Sequence, residues 1–166
     1  MRWKLLHLAL ALLCACGSAP SPTLPIDAVI LPGSAVTEML RQCSRTAPPA
    51  GEATWQPGST EVAALEAALP MVLRERPERL GPHSGDEVDW ARAPQGWRRQ
   101  YVGIVRQGHR FIYGNYFRHE PSQDAMFGDD WRRESTRVCD GGPVFFGVEY
   151  DVEARQFTHI AFNGAI

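Results

Sequence analysis

The side chains best suited to chemistry crowd into one stretch, RHEPSQDAMFGDDWRRESTRVCDGG, residues 118–142. His119, Glu120, Asp124, Asp129, Asp130 and Asp140 offer an imidazole and carboxylate oxygens, the donors that a cation or an acid–base pair needs. Their spacing matches no EF-hand loop, and neither HExxH nor a cysteine-rich zinc pattern occurs. Asp140-Gly141-Gly142 suits a turn into a strand better than a phosphate cradle, because no helix follows it. A G-x-S-x-G elbow is also missing. These residues imply no catalytic set, no metal and no cofactor. They favour a polar binding loop, with His119, Asp124, Asp129, Asp130 and Trp131 as its candidate contacts. A metal-assisted hydrolase centred on His119 and the aspartates is the more demanding alternative.

Aromatic residues form a second group: Tyr101, Phe111, Tyr113, Tyr116, Phe117 and Trp131. On a strand, alternation sends Phe111, Tyr113 and Phe117 to one face and Tyr116 to the other. One face packs a helix, and aromatics left on the other make a binding surface. Tyr113 and Tyr116 therefore join the candidate contacts.

The elements that must position these groups are legible from periodicity. Val62, Leu65, Leu69 and Val72 recur at helical spacing after Ser59 and Thr60, and Pro70 is expected to end or kink that helix. A shorter helix is expected from Ser34 to about Arg41. Residues 77–98 read as a long connection, with Trp90 and Trp97 pinning it to the core. Runs at 101–106 and 110–117 flank a Gln107-Gly108-His109 turn, which is a hairpin signal. Residues 143–150 alternate and lead, through a turn at 151–155, into a partner strand at 157–163. The expected fold class is α+β, one main helix packed on a four-stranded antiparallel sheet. That element order is similar to cystatin-like architectures, and the similarity implies a fold without a function.

The N-terminus supplies an address. In MRWKLLHLALALLCAC, a basic n-region (Arg2, Lys4) precedes an apolar run too short to span a bilayer, and cysteine follows. Leu13-Cys14-Ala15-Cys16 resembles the bacterial lipobox of prolipoproteins, with Cys14 where a small residue is usual. The resemblance implies a signal peptide at 1–15 and a diacylglyceryl- and palmitate-type N-acyl-modified Cys16. Residues 16–32 would then be a Pro-rich tether and 33–166 a single domain. Ordinary secretion into free solution is the competing reading. Gly17 and Ser18 follow the cysteine without an aspartate, which by analogy with enterobacterial sorting implies the outer membrane, facing the periplasm, over the inner membrane.

Removing 1–15 has further consequences. Lys4 is the only lysine, so every remaining positive charge is arginine. The processed chain carries net charge about −4, which disfavours nucleic acid as a partner. Cys43 and Cys139 are the cysteines left, and in an oxidising compartment they are expected to pair. The run VCDGGPVFFGVEYDVEARQFTHIAFNG is similar to the C-terminal ends of small uncharacterised bacterial envelope proteins and implies no activity. The expected function is a non-enzymatic envelope lipoprotein that binds a protein or envelope component. A periplasmic inhibitor or small-ligand carrier is the alternative.

Overall fold

A computed structural model of the chain describes residues 21–75, 90, 92, 94–118 and 130–164. Residues 1–15, read above as a signal peptide, Cys16, and the candidates His119, Asp124 and Asp129 lie outside them.

The framework is a sheet of strands β1 (Ala28–Ile30), β2 (Ala53–Trp55), β3 (Trp97–Arg106), β4 (His109–Arg118), β5 (Phe145–Asp151) and β6 (Gln156–Phe162). Its order is β1-β3-β4-β5-β6, with β2 also on β3. Strands β3 and β4 form a ten-residue hairpin from Trp97↔Arg118 to Arg106↔His109. Its two-residue turn has positive φ at Gln107 (53°) and Gly108 (76°), the type I′ geometry whose twist matches the strands. Strands β5 and β6 form the second hairpin, antiparallel to the first.

The expectation of one main helix on a four-stranded antiparallel sheet is corrected on two counts. Among the described residues the sheet has six strands, and it is mixed, because β1 runs parallel to β3 with Ala28↔Arg99 and Ile30↔Tyr101. Strand β2 pairs antiparallel with the other half of the same edge, Thr54↔Ile104. Both added strands are three residues long, too short to show alternation. Strand β1 lies within the segment read as a tether. Extended Pro-rich backbone differs little from β backbone in its dihedrals, and the free edge of β3 converts one into the other.

Helix α1 (Val36–Leu40) and helix α2 (Ser59–Arg74) lie on opposite faces of the sheet. Glu61 accepts a hydrogen bond from the Gly58 N–H (3.0 Å), which fixes the start of α2. Val62, Leu65, Leu69 and Leu73 are buried against Tyr101, Ile112, Tyr116, Phe146, Val148 and Tyr150. Of the two outcomes expected at Pro70, an end or a kink, the helix does not end there and runs on to Arg74. Leu69 and Leu73, before and after it, are both buried, and that packing outweighs a missing backbone bond. Trp97 is buried, and Trp90 meets Trp97 and Phe162 edge-on at 6.0 and 5.5 Å. The other face holds Leu31, Val36 and Met39 against Val102, Ile104, Phe111 and Tyr113.

Candidate functional site

Paired residues on adjacent strands point to the same face, so the registers define rows across β3, β4 and β5. On the face opposite α2 the first row is Arg98, Phe117, Phe145 and the second is Gln100, Asn115, Gly147. The segment 130–138 lies over these rows without a ladder of its own, so its backbone groups need side-chain partners. Gln100 serves three of these groups and one neighbouring side chain. Its Nε2 donates to the carbonyls of Trp131 (2.5 Å) and Glu134 (2.6 Å), and its Oε1 accepts from Thr136 N (2.8 Å) and Asn115 Nδ2 (3.0 Å). Asn115 Nδ2 also donates to Thr136 O (2.8 Å), and Asn163 Nδ2 donates to Val138 O (2.5 Å).

Arg45 closes the network. Its guanidinium donates to Asn163 Oδ1 (2.8 Å), Asn115 Oδ1 (2.6 Å) and the Tyr113 hydroxyl (3.4 Å). It meets no carboxylate among the described residues, and its Nε is buried without an acceptor. Gly147 makes room for this arrangement, since a Cβ there would lie 2.3 Å from the Tyr113 hydroxyl and 3.1 Å from Arg45 Nε. The disulfide Cys43–Cys139 then ties the Arg45 segment to the end of 130–138.

Between the first row and this braced segment lies a cleft of about 420 Å³. Phe117, Trp131, Val138 and Phe145 provide its apolar surface, and Arg98, Arg118, Arg137, Asp130 and Glu134 its charge. The Arg98 guanidinium stands 5.0 Å from the Trp131 ring centre, and Arg132 stands 4.3 Å from it. Phe117 meets the same ring edge-on at 6.4 Å. Trp131 is 5% exposed, and its indole N–H is buried with no acceptor among the described residues.

The candidates from sequence separate accordingly. Asp130 and Trp131 line the cleft. Tyr113 and Tyr116 are fully buried, on opposite faces, and form no exposed aromatic surface. The cleft arginines, the amide pair Gln100 and Asn115, and Arg45 were missed. Polar residues inside β-rich runs, such as Gln100 next to Tyr101 and Asn115 next to Tyr116, were the available signal.

Two other polar clusters are occupied by their own contacts. Glu66 of α2 reaches the sheet and binds Arg99 (2.7 Å), the Tyr101 hydroxyl and, at 3.4 Å, the Tyr116 hydroxyl. Burial pushes the Tyr101 and Tyr116 phenols well above their ordinary value, and the Glu66 charge adds to the effect. His109, Asp151 and Glu153 bring ligand atoms within 4.8 Å of one another. Glu153, however, takes both Arg110 N (3.0 Å) and Arg110 Nε (2.7 Å), and the guanidinium holds its carboxyl below the usual range. Asp151 caps its turn through Ala154 N (2.7 Å). A cation there would compete with an arginine, so the fit is poor.

Compared with protein-family models, curated proteins and solved structures, the chain matches none. The cleft therefore has to be interpreted from its own chemistry. Among the described residues no helix is long and apolar enough to cross a membrane.

Proposed function

We propose that the chain is an envelope lipoprotein, anchored through acylated Cys16, whose domain is a binding module that uses the cleft beside Trp131. The cleft carries this reading: an aromatic floor with converging guanidiniums, on a face braced by side-chain hydrogen bonds and a disulfide. Such concave, mostly apolar sites with a few placed polar groups are the usual form of ligand pockets. The disulfide suits an oxidising compartment, in line with the order of basic, apolar and cysteine residues at the N-terminus. The anchor would leave the protein at the membrane surface, since stable attachment needs more than one acyl chain and this modification supplies several.

Crosslinking of intact envelopes should recover a bound component that is lost when Phe117→Ala and Phe145→Ala are combined. Equal recovery with that variant overturns the cleft as the binding surface. For the anchor, Cys16→Ala should abolish labelling by a palmitate analogue and release the protein from the membrane fraction. Labelling that persists in the variant overturns the anchor alone.

A further inference from the structure

We infer that the domain rests on the membrane that carries its anchor. The cleft end of the sheet is turned toward the lipid headgroups, and Ile26 dips among them. The inference rests on the anchor reading and names the surface at which the cleft works. Its first support is the short length of chain between Cys16 and the fold. Strand β1 begins at Ala28, but the domain holds the chain before that point. Leu24 is half-buried against the core beneath α2, and Ala28 N closes a turn on the Pro25 carbonyl (3.0 Å). The steps from Cys16 to Leu24, fully extended, span at most roughly 26–29 Å.

The second support is where that chain joins the sheet. The Asp27 carbonyl accepts a hydrogen bond from Arg99 N (2.8 Å), so the segment enters beside the start of β3. The row of the cleft lies at the same end, since Arg98 is near the start of β3, Phe117 near the end of β4, and Phe145 opens β5. One side chain joins the two. Arg132 donates to the Ile26 carbonyl (3.1 Å), and its guanidinium stands 4.3 Å from the ring centre of Trp131. The turn at Gln107 and Gly108 is the opposite end, roughly 30 Å away along the hairpin. Lowering that turn onto the membrane would draw the linking chain almost straight beside the whole hairpin, which chain entropy opposes. Ile26 is the third support. It is 81% exposed, against 55% for Met71 on α2. An apolar side chain next to the anchor point gains by entering the boundary between headgroups and acyl chains. The anchor makes this contact intramolecular, so one side chain suffices where a free protein would need more.

Acylated full-length protein in phosphatidylcholine nanodiscs tests this. A nitroxide on some of the choline headgroups broadens nearby amide resonances, and that broadening is the readout. The signals of Ile26 and Arg132 should be lost, those of Phe117 and Phe145 weakened, and those of Gly108 and Ala154 retained. Ile26→Ser should weaken the broadening at Arg132 about twofold. Because Ile26 is exposed and precedes β1, this variant should fold normally. Even broadening at both ends, or stronger broadening at Gly108, overturns the inference and leaves the anchor standing. An Ile26→Ser protein broadened like the parent does the same. Protein recovered from membranes with no acyl group on Cys16, as read by mass spectrometry, removes the anchor reading and this inference together.

Discussion

Glu66 shows how a single side chain can commit a whole face to one arrangement. Its carboxylate comes from α2, half hidden beneath the helix, and meets Arg99 at 2.7 Å together with the Tyr101 and Tyr116 hydroxyls. Both phenols are fully buried, so the folded protein keeps them neutral beyond their ordinary value of 10.0. The unfolded chain loses these protons first. Their contribution to stability is therefore complete below pH 10.0 and falls as pH rises from there through the higher folded values. Urea midpoints taken on both sides of that pH should show the fall, and Tyr116→Phe should make it shallower; a flat profile contradicts the buried-phenol account. The rings fit because position 114 is glycine. A Cβ there would approach Tyr116 Cε2 to 2.8 Å and Tyr101 Cε1 to 3.2 Å. Gly114→Ala should therefore cost about 1–3 kcal/mol in a denaturant titration, by overpacking. None of this was legible in the sequence, where Glu66 looks like the polar side of an amphipathic helix. Its partners are 33 to 50 positions away in the chain.

At the level of elements, α2 and the segment 130–138 are held by opposite means. Packing holds α2, with Val62, Leu65, Leu69 and Leu73 on the sheet, and it tolerates Pro70 within its length. Pro70 has no N–H for the Glu66 carbonyl one turn earlier. Pro70→Ala should restore that bond and raise the unfolding free energy by roughly 1–2 kcal/mol, part of the penalty of proline in a helix interior. A lower midpoint in chemical denaturation would mean that the proline is needed for the path of the chain. Segment 130–138, by contrast, relies on Gln100, Asn115 and Asn163 binding its carbonyls. The two hairpins and the main helix were readable because their periods, two and 3.6, are local properties. Strands β1 and β2 were not, because three residues bounded by prolines or glycine carry no period, and only the edge of β3 makes them strands.

At the scale of the molecule, the disulfide joins what the sheet alone would leave separable. Cys43 and Cys139 are 96 positions apart and connect the Arg45 loop to the wall of the cleft. Replacing both with serine should lower stability by about 4–5 kcal/mol in the chain-entropy view of a loop this long. Hydrogen exchange should then quicken first across 130–138, ahead of β3 and β4. Uniform acceleration throughout the sheet would show that the bridge stabilises only the global fold. The sequence by itself determined the order of basic, apolar and cysteine residues at the N-terminus, the cysteine parity, the two hairpins and the helix, since each depends on residue type and short spacing. Tertiary structure alone decided the mixed six-stranded sheet, the burial of Tyr113 and Tyr116, and the cleft. These arise from pairing between distant strands, and that pairing sets which residues stand side by side. Arg98, Phe117 and Phe145 become one surface only when β3, β4 and β5 align.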